Sequence, residues 1–112
     1  MRTTTFPPLG EILLYESEEG KLTLQVQLQN DTVWLTQAQM AELFGKERSV
    51  ISKHITNAFK EGELDENTNV QKMHNWDSVK PTAFYSLDAI ISVGYRVKSK
   101  QGTKFRIWLT GF

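Results

Sequence analysis

The run from Thr36 to Ile55, TQAQMAELFGKERSVISKHI, limits the possible folds of this chain more than any other stretch. Thr36 has the form of a helix N-cap, because Gln39 stands three residues on to complete a capping box and Leu35 can staple to Met40. A helix begun there runs to Phe44, and Gly45 supplies the left-handed residue that ends it without a Cβ clash. A second helix then covers Arg48 to about Lys60, with Gly62 as its stop. Two short helices joined by so tight a corner form a helix-turn-helix, in which the first braces the second at a steep angle. Met40, Ala41, Phe44, Ile51 and Ile55 are apolar where the pair must touch, and Ile51, Ile55, Ala58 and Phe59 form the inward stripe of the second helix. Lys46 stands at a turn position that is commonly an aliphatic plug, and Glu47 where Ser or Thr would cap better, so a looser turn is expected.

The flanking sequence reads as mixed structure. Leu22, Leu24, Val26 and Leu28 alternate with Thr23, Gln25 and Gln27, the two-residue period of a half-buried strand. Glu11-Ile-Leu-Leu-Tyr15 pairs with it across a polar, glycine-ended turn, and Val33-Trp-Leu35 is a short third strand after a turn at Asn30-Asp31. A second hairpin joins Val70–Trp76 to Pro81–Tyr85 across Asp77-Ser78, with Pro81 at a strand start or edge. Ser86 caps a helix from Leu87 to about Val93, ending near Gly94. A basic loop follows from Arg96 to Gly102, and then Phe105, Trp108, Leu109 and Phe112 recur at helical spacing. The expected class is α+β: an N-terminal antiparallel hairpin, a helix-turn-helix, a wing-like second hairpin and two C-terminal helices in one domain spanning 1–112. The last helix reads as unfinished, so a longer parent protein is expected.

Composition narrows the function. There is no cysteine, hence neither a disulfide framework nor a thiolate metal site, and no apolar run suits a signal peptide or membrane span. The cytoplasm is the expected compartment. Thirteen basic and thirteen acidic residues cancel, yet their distribution is uneven. Residues 36–60 hold four Lys or Arg against two acids, and residues 81–112 hold five against one, whereas the remaining segments are acidic. Such blocks can aim positive potential at one partner.

The second helix carries the chemistry. Opposite its apolar stripe lie Ser49, Ser52, Lys53, Thr56 and Lys60, flanked by Arg48 and Asn57, and no carboxylate occurs from Arg48 to Lys60. Short hydroxyls, an amide and long cations are the groups that reach base edges and phosphate oxygens. Gln37, opening the bracing helix, joins them as a DNA-binding candidate. Lys98, Lys100 and Lys104, with Arg96 and Arg106, form a second basic block with two readings: a solvated loop and helix start, or a phosphate-contacting patch with Thr103 at a helix N-terminus. Lys72, His74 and Lys80 place cations on the wing-like hairpin. His54 and His74 lack the partners of a zinc site, no Ser, His and acid form a recognisable triad, and Trp34, Trp76 and Trp108 read as core anchors. No metal, cofactor or catalytic residue is expected.

Three further runs accompany Val33–Phe44 and Ile51–Ile55: Phe59-Lys-Glu-Gly-Glu-Leu64, Tyr85-Ser-Leu-Asp-Ala-Ile-Ile-Ser-Val-Gly-Tyr-Arg-Val97 and Gly102-Thr-Lys-Phe-Arg-Ile-Trp108. Together they resemble the N-terminal domain of the bacterial RhuM virulence-protein family over about Ile12 to Trp108, and related domains precede Fic/DOC-type modules. The resemblance implies a DNA-binding domain, of the transcription-regulator kind, with its recognition helix on Arg48 to Phe59. Lys46 and Glu47 depart from the family's aliphatic and Ser/Thr pair. The expected partners are double-stranded DNA and a second copy of the chain, joined through the amphipathic Phe105 to Phe112 segment. The alternative is a protein-interaction or regulatory module for a downstream toxin-like or Fic-type domain.

Overall fold

A computed structural model describes residues 11–16, 20, 22–29, 32–74, 81–98 and 100–109. The described chain builds β1 (Glu11–Glu16), β2 (Thr23–Gln29), β3 (Thr32–Leu35), α1 (Gln37–Phe44), α2 (Arg48–Lys60), α3 (Glu66–Asn69), β4 (Val70–His74), β5 (Pro81–Ser86), α4 (Leu87–Val97) and α5 (Lys100–Leu109). The expected α+β class is what the structure shows. The two hairpins, however, are one object. All five strands share an antiparallel sheet in the order β1-β2-β3-β5-β4. The second hairpin therefore extends the sheet through Trp34↔Ser86 and Leu35↔Tyr85. Pro81 opens β5, where its missing N–H interrupts the ladder least. Trp76 and the Asp77-Ser78 turn lie outside the described residues, as does the Asn30-Asp31 turn.

Alternation decides which side chains meet the helices. Tyr15, Leu24, Val26, Val33, Leu35 and Tyr85 lie on one face and enter the main core with Met40, Leu43, Phe44, Ile51, Ile55, Ala89, Ile90, Val93 and Phe105. Trp34, Phe84 and Met73 point the other way and form a second, smaller buried cluster. Gln27, the register partner of Trp34, is buried on that face too, although the strand's period had marked it as polar and outward. The tryptophan indole donates to the Gln29 carbonyl at 3.0 Å.

The Thr36 cap forms as its sequence requires. Gln39 N–H donates to Thr36 Oγ1 at 3.1 Å, and Thr36 N–H donates to Gln39 Oε1 at 3.0 Å. The amide of Gln39 also donates to the Gln25 carbonyl at 2.7 Å, which ties the start of α1 to β2. A chain of polar contacts then ties α3 to the start of α4. Asp65 caps α3, its carbonyl accepts from Asn69 Nδ2 at 2.7 Å, Ser86 Oγ donates to Asn69 Oδ1, and Ala89 N–H donates to Ser86 Oγ.

Three C-terminal expectations are corrected. α4 does not end near Gly94 but continues to Val97, closing on Lys98 in the left-handed region at φ 53°, with Lys98 N–H donating to the Gly94 carbonyl at 3.0 Å. The glycine lies beside the Phe44 ring, where an added Cβ would stand 3.5 Å from it. The Arg96 to Gly102 stretch is consequently no loop: Arg96 and Val97 belong to α4, and α5 already starts at Lys100. Thr103 stands in the fourth position of α5 rather than at its N-terminus. Finally, of the apolar residues expected to join two copies, Phe105 and Trp108 pack within the chain. Phe105 is 1% exposed, and the rings of Phe105 and Trp108 both lie 5.1 Å from that of Tyr15. Phe112 lies outside the described residues.

Candidate nucleic-acid interface

The corner between α1 and α2 closes on backbone bonds. Gly45 adopts φ 65°, ψ 39°, and the N–H groups of Gly45 and Lys46 both donate to the Ala41 carbonyl. Glu47 makes no side-chain cap bond, but its carbonyl receives Val50 N–H and Ile51 N–H. The absent plug and cap thus remove one side-chain bond without opening the turn. At the far end of α2, Gly62 at φ 79° completes a Schellman closure, with Gly62 N–H on the Phe59 carbonyl and Glu63 N–H on the Ala58 carbonyl.

Between these ends α2 divides lengthwise. Ile51, Ile55 and Ala58 are at most 2% exposed, and Phe59 is half-buried against the same core. On the opposite side Arg48, Ser49, Lys53, Thr56 and Lys60 are exposed, while Ser52, His54 and Asn57 are half-buried at the margins. Every candidate that the sequence placed on α2 is thus on or beside its open face. The first turn carries no acid, although Glu47 stands beside it at the N-cap. Over 13 residues the helix is about 20 Å long, a length that fits a major groove.

The other candidates fall elsewhere. Gln37 is half-buried in the first turn of α1, where its Nε2 donates to the Tyr85 hydroxyl at 2.9 Å. Lys98, Lys100 and Lys104 are exposed on the end of α4 and on α5. Arg96, read with that block, is instead held by two carboxylates: its Nη2 lies 2.8 Å from Glu61 Oε1 and 2.6 Å from Glu63 Oε1. Arg106 rests over the Tyr95 ring and donates to its hydroxyl at 3.2 Å. Lys72 is exposed on β4, whereas Lys80 lies outside the described residues.

The carboxylates around Arg96 escaped the sequence reading. Ser92 Oγ donates to Glu63 Oε2, so Ser92 and Arg96, one helical turn apart on α4, grip the segment that follows α2. The Ser92 hydroxyl and the Arg96 guanidinium hold the Glu63 carboxyl below the ordinary glutamate range; the Glu61 and Glu63 carboxylates push Arg96 upward. The i, i+4 spacing of Ser92 and Arg96 was visible, but nothing local told which residues thirty positions earlier would face them. Among the described residues no group of three His, Asp or Glu side chains is placed to hold a metal ion, and no helix is long and apolar enough to cross a membrane.

The architecture is thus an α+β domain whose antiparallel sheet and α4 brace a helix-turn-helix corner and leave one side of its second helix uncovered. Residues 63–112 are similar to the Virulence protein RhuM family, a span that covers α3, β4, β5, α4 and α5. Helices α1 and α2 precede the matched span. No curated protein and no solved structure matches the chain.

Proposed function

We propose that this chain binds double-stranded DNA in a sequence-specific way, as a transcription-regulator-like domain, with α2 as the recognition helix. One observation carries the reading: the side of α2 without carboxylates is open to solvent while its opposite side is buried. Lys53 and Lys60 supply the charge that phosphates attract, Arg48 adds to it at the helix start, and Ser49, Ser52, Thr56 and Asn57 offer hydrogen bonds at base edges. Two copies would read two half-sites a helical turn apart, using a surface other than the Phe105 side of α5. Lys98, Lys100 and Lys104 enter as outlying phosphate contacts, and Gln37 contributes only by giving up its bond to Tyr85.

The test is selection of bound fragments from random duplex DNA, followed by anisotropy titration across a salt series. Affinity for the selected duplex should fall as salt rises, with Lys53→Ala reducing the slope by about 1 and Ser49→Ala narrowing the gap between selected and scrambled duplex. Binding that ignores salt, or no enrichment at all, contradicts the proposal. A second reading, docking of the helix pair on a downstream toxin-like or Fic-type domain, draws on Val50, a large apolar side chain 37% exposed on α2. Retention of such a domain by Val50→Ser, together with weakened duplex binding in Lys53→Ala, would separate the two.

A further inference from the structure

A cavity of about 320 Å³ opens between α4, α5 and the end of α1. Its floor is apolar and buried, made by Phe44, Ile90 and Phe105. Its exposed wall is cationic: Lys98, Lys100 and Arg106 line it, and none of the described lining residues is Asp or Glu. Gly94 leaves room beside the Phe44 ring, where a side chain would intrude. The volume falls at the lower end of the range usual for small-molecule sites. A neutral apolar ligand would leave three cations without a counter-charge, and an inorganic anion would leave the apolar floor uncovered. Only a ligand with both parts satisfies the lining.

We infer that this cavity binds a small amphipathic carboxylate, its apolar ring or chain against Phe44, Ile90 and Phe105 and its carboxylate toward Lys98, Lys100 and Arg106. The site stands apart from the α2 face. On α4 the residues that grip Glu63, Ser92 and Arg96, occupy a different side of the helix from Ile91, Gly94, Tyr95 and Lys98. Phe44 is nevertheless the last residue of the bracing helix, so an occupant touches the element that holds α2 in place.

The experiment uses 1-naphthoate and its uncharged counterpart 1-naphthamide, titrated by calorimetry into the intact chain and followed on the backbone amides of Gly94 and Thr103. Saturable naphthoate binding is expected, tighter than naphthamide by about fivefold or more, as befits partly exposed ion pairs. The double variant Lys98→Gln, Lys100→Gln should remove most of that difference while leaving naphthamide binding unchanged. Gly94→Leu, which fills the space beside Phe44 without disturbing the cations, should abolish binding of both. Equal affinity for the two probes, or no saturation, or shifts that spare Gly94 and Thr103, overturns the inference. Because neither probe is a nucleic acid, these outcomes are independent of whether α2 binds DNA.

Discussion

At the scale of single residues, two positions carry effects of predictable size. Thr36 holds both halves of the capping box, so Thr36→Ala should lower stability by about 1 kcal/mol in urea unfolding; a change near zero would mean that the Gln39 bond to β2 alone fixes the start of α1. Gly94 lies inside α4, and a Cβ there would sit 3.5 Å from the Phe44 ring, an ordinary contact. Gly94→Ala should therefore raise stability by about 0.5–1 kcal/mol by restricting the unfolded chain, and a lowered melting temperature would show that the approach of α4 to Phe44 tolerates no added atom. The Glu63 carboxyl gives a pH signature. Its folded-state pKa is lowered, first by the Ser92 hydroxyl and then by Arg96, so the stabilisation it brings is complete above the ordinary glutamate range and disappears as pH falls through the lowered value. In a carboxyl NMR titration Glu63 should titrate below a glutamate in an unfolded peptide, and Ser92→Ala should bring it back up. An unchanged midpoint in that variant would remove Ser92 as the main cause.

At the scale of elements, the local signals were the legible ones. Thr36 with Gln39, Gly45, Gly62 and Ser86 each mark a boundary that depends on a few neighbouring atoms, and α1, α2 and the start of α4 lie where they indicate. Gly94 misled because a glycine that stops a helix and one that lies inside it look alike in sequence. Lys98 then ended α4 in a left-handed conformation that its residue type does not announce. The four-residue α3 depends on Asp65 and on Asn69 meeting Ser86 from seventeen positions away, a contact beyond any local pattern. The open side of α2 was legible because periodicity sorts its two faces, whereas the capture of Arg96 by Glu61 and Glu63 was not, because it joins two distant segments. The core of α2 tests the bracing itself. Ile55→Ala should cost about 2–5 kcal/mol in equilibrium unfolding; a loss below about 1 kcal/mol would mean that α2 is not held by its buried stripe.

At the scale of the whole molecule, a neutral chain presents a charged face because the fold arranges its blocks in space. The main core lies between one face of the five-stranded sheet and the helices, and α2 lies at the margin where only half of its circumference is covered. Glu61 and Glu63, which follow α2, pair with Arg96, and neither Lys53 nor Lys60 forms a salt bridge among the described residues. The central claim is that this face receives a duplex. The most direct measurement is backbone amide NMR of the labelled chain during addition of a selected duplex. The account predicts that the amides of Ser49, Lys53, Thr56 and Lys60 shift together while those of the sheet stay in place. Shifts confined to other elements, with α2 silent at saturating duplex, would contradict it.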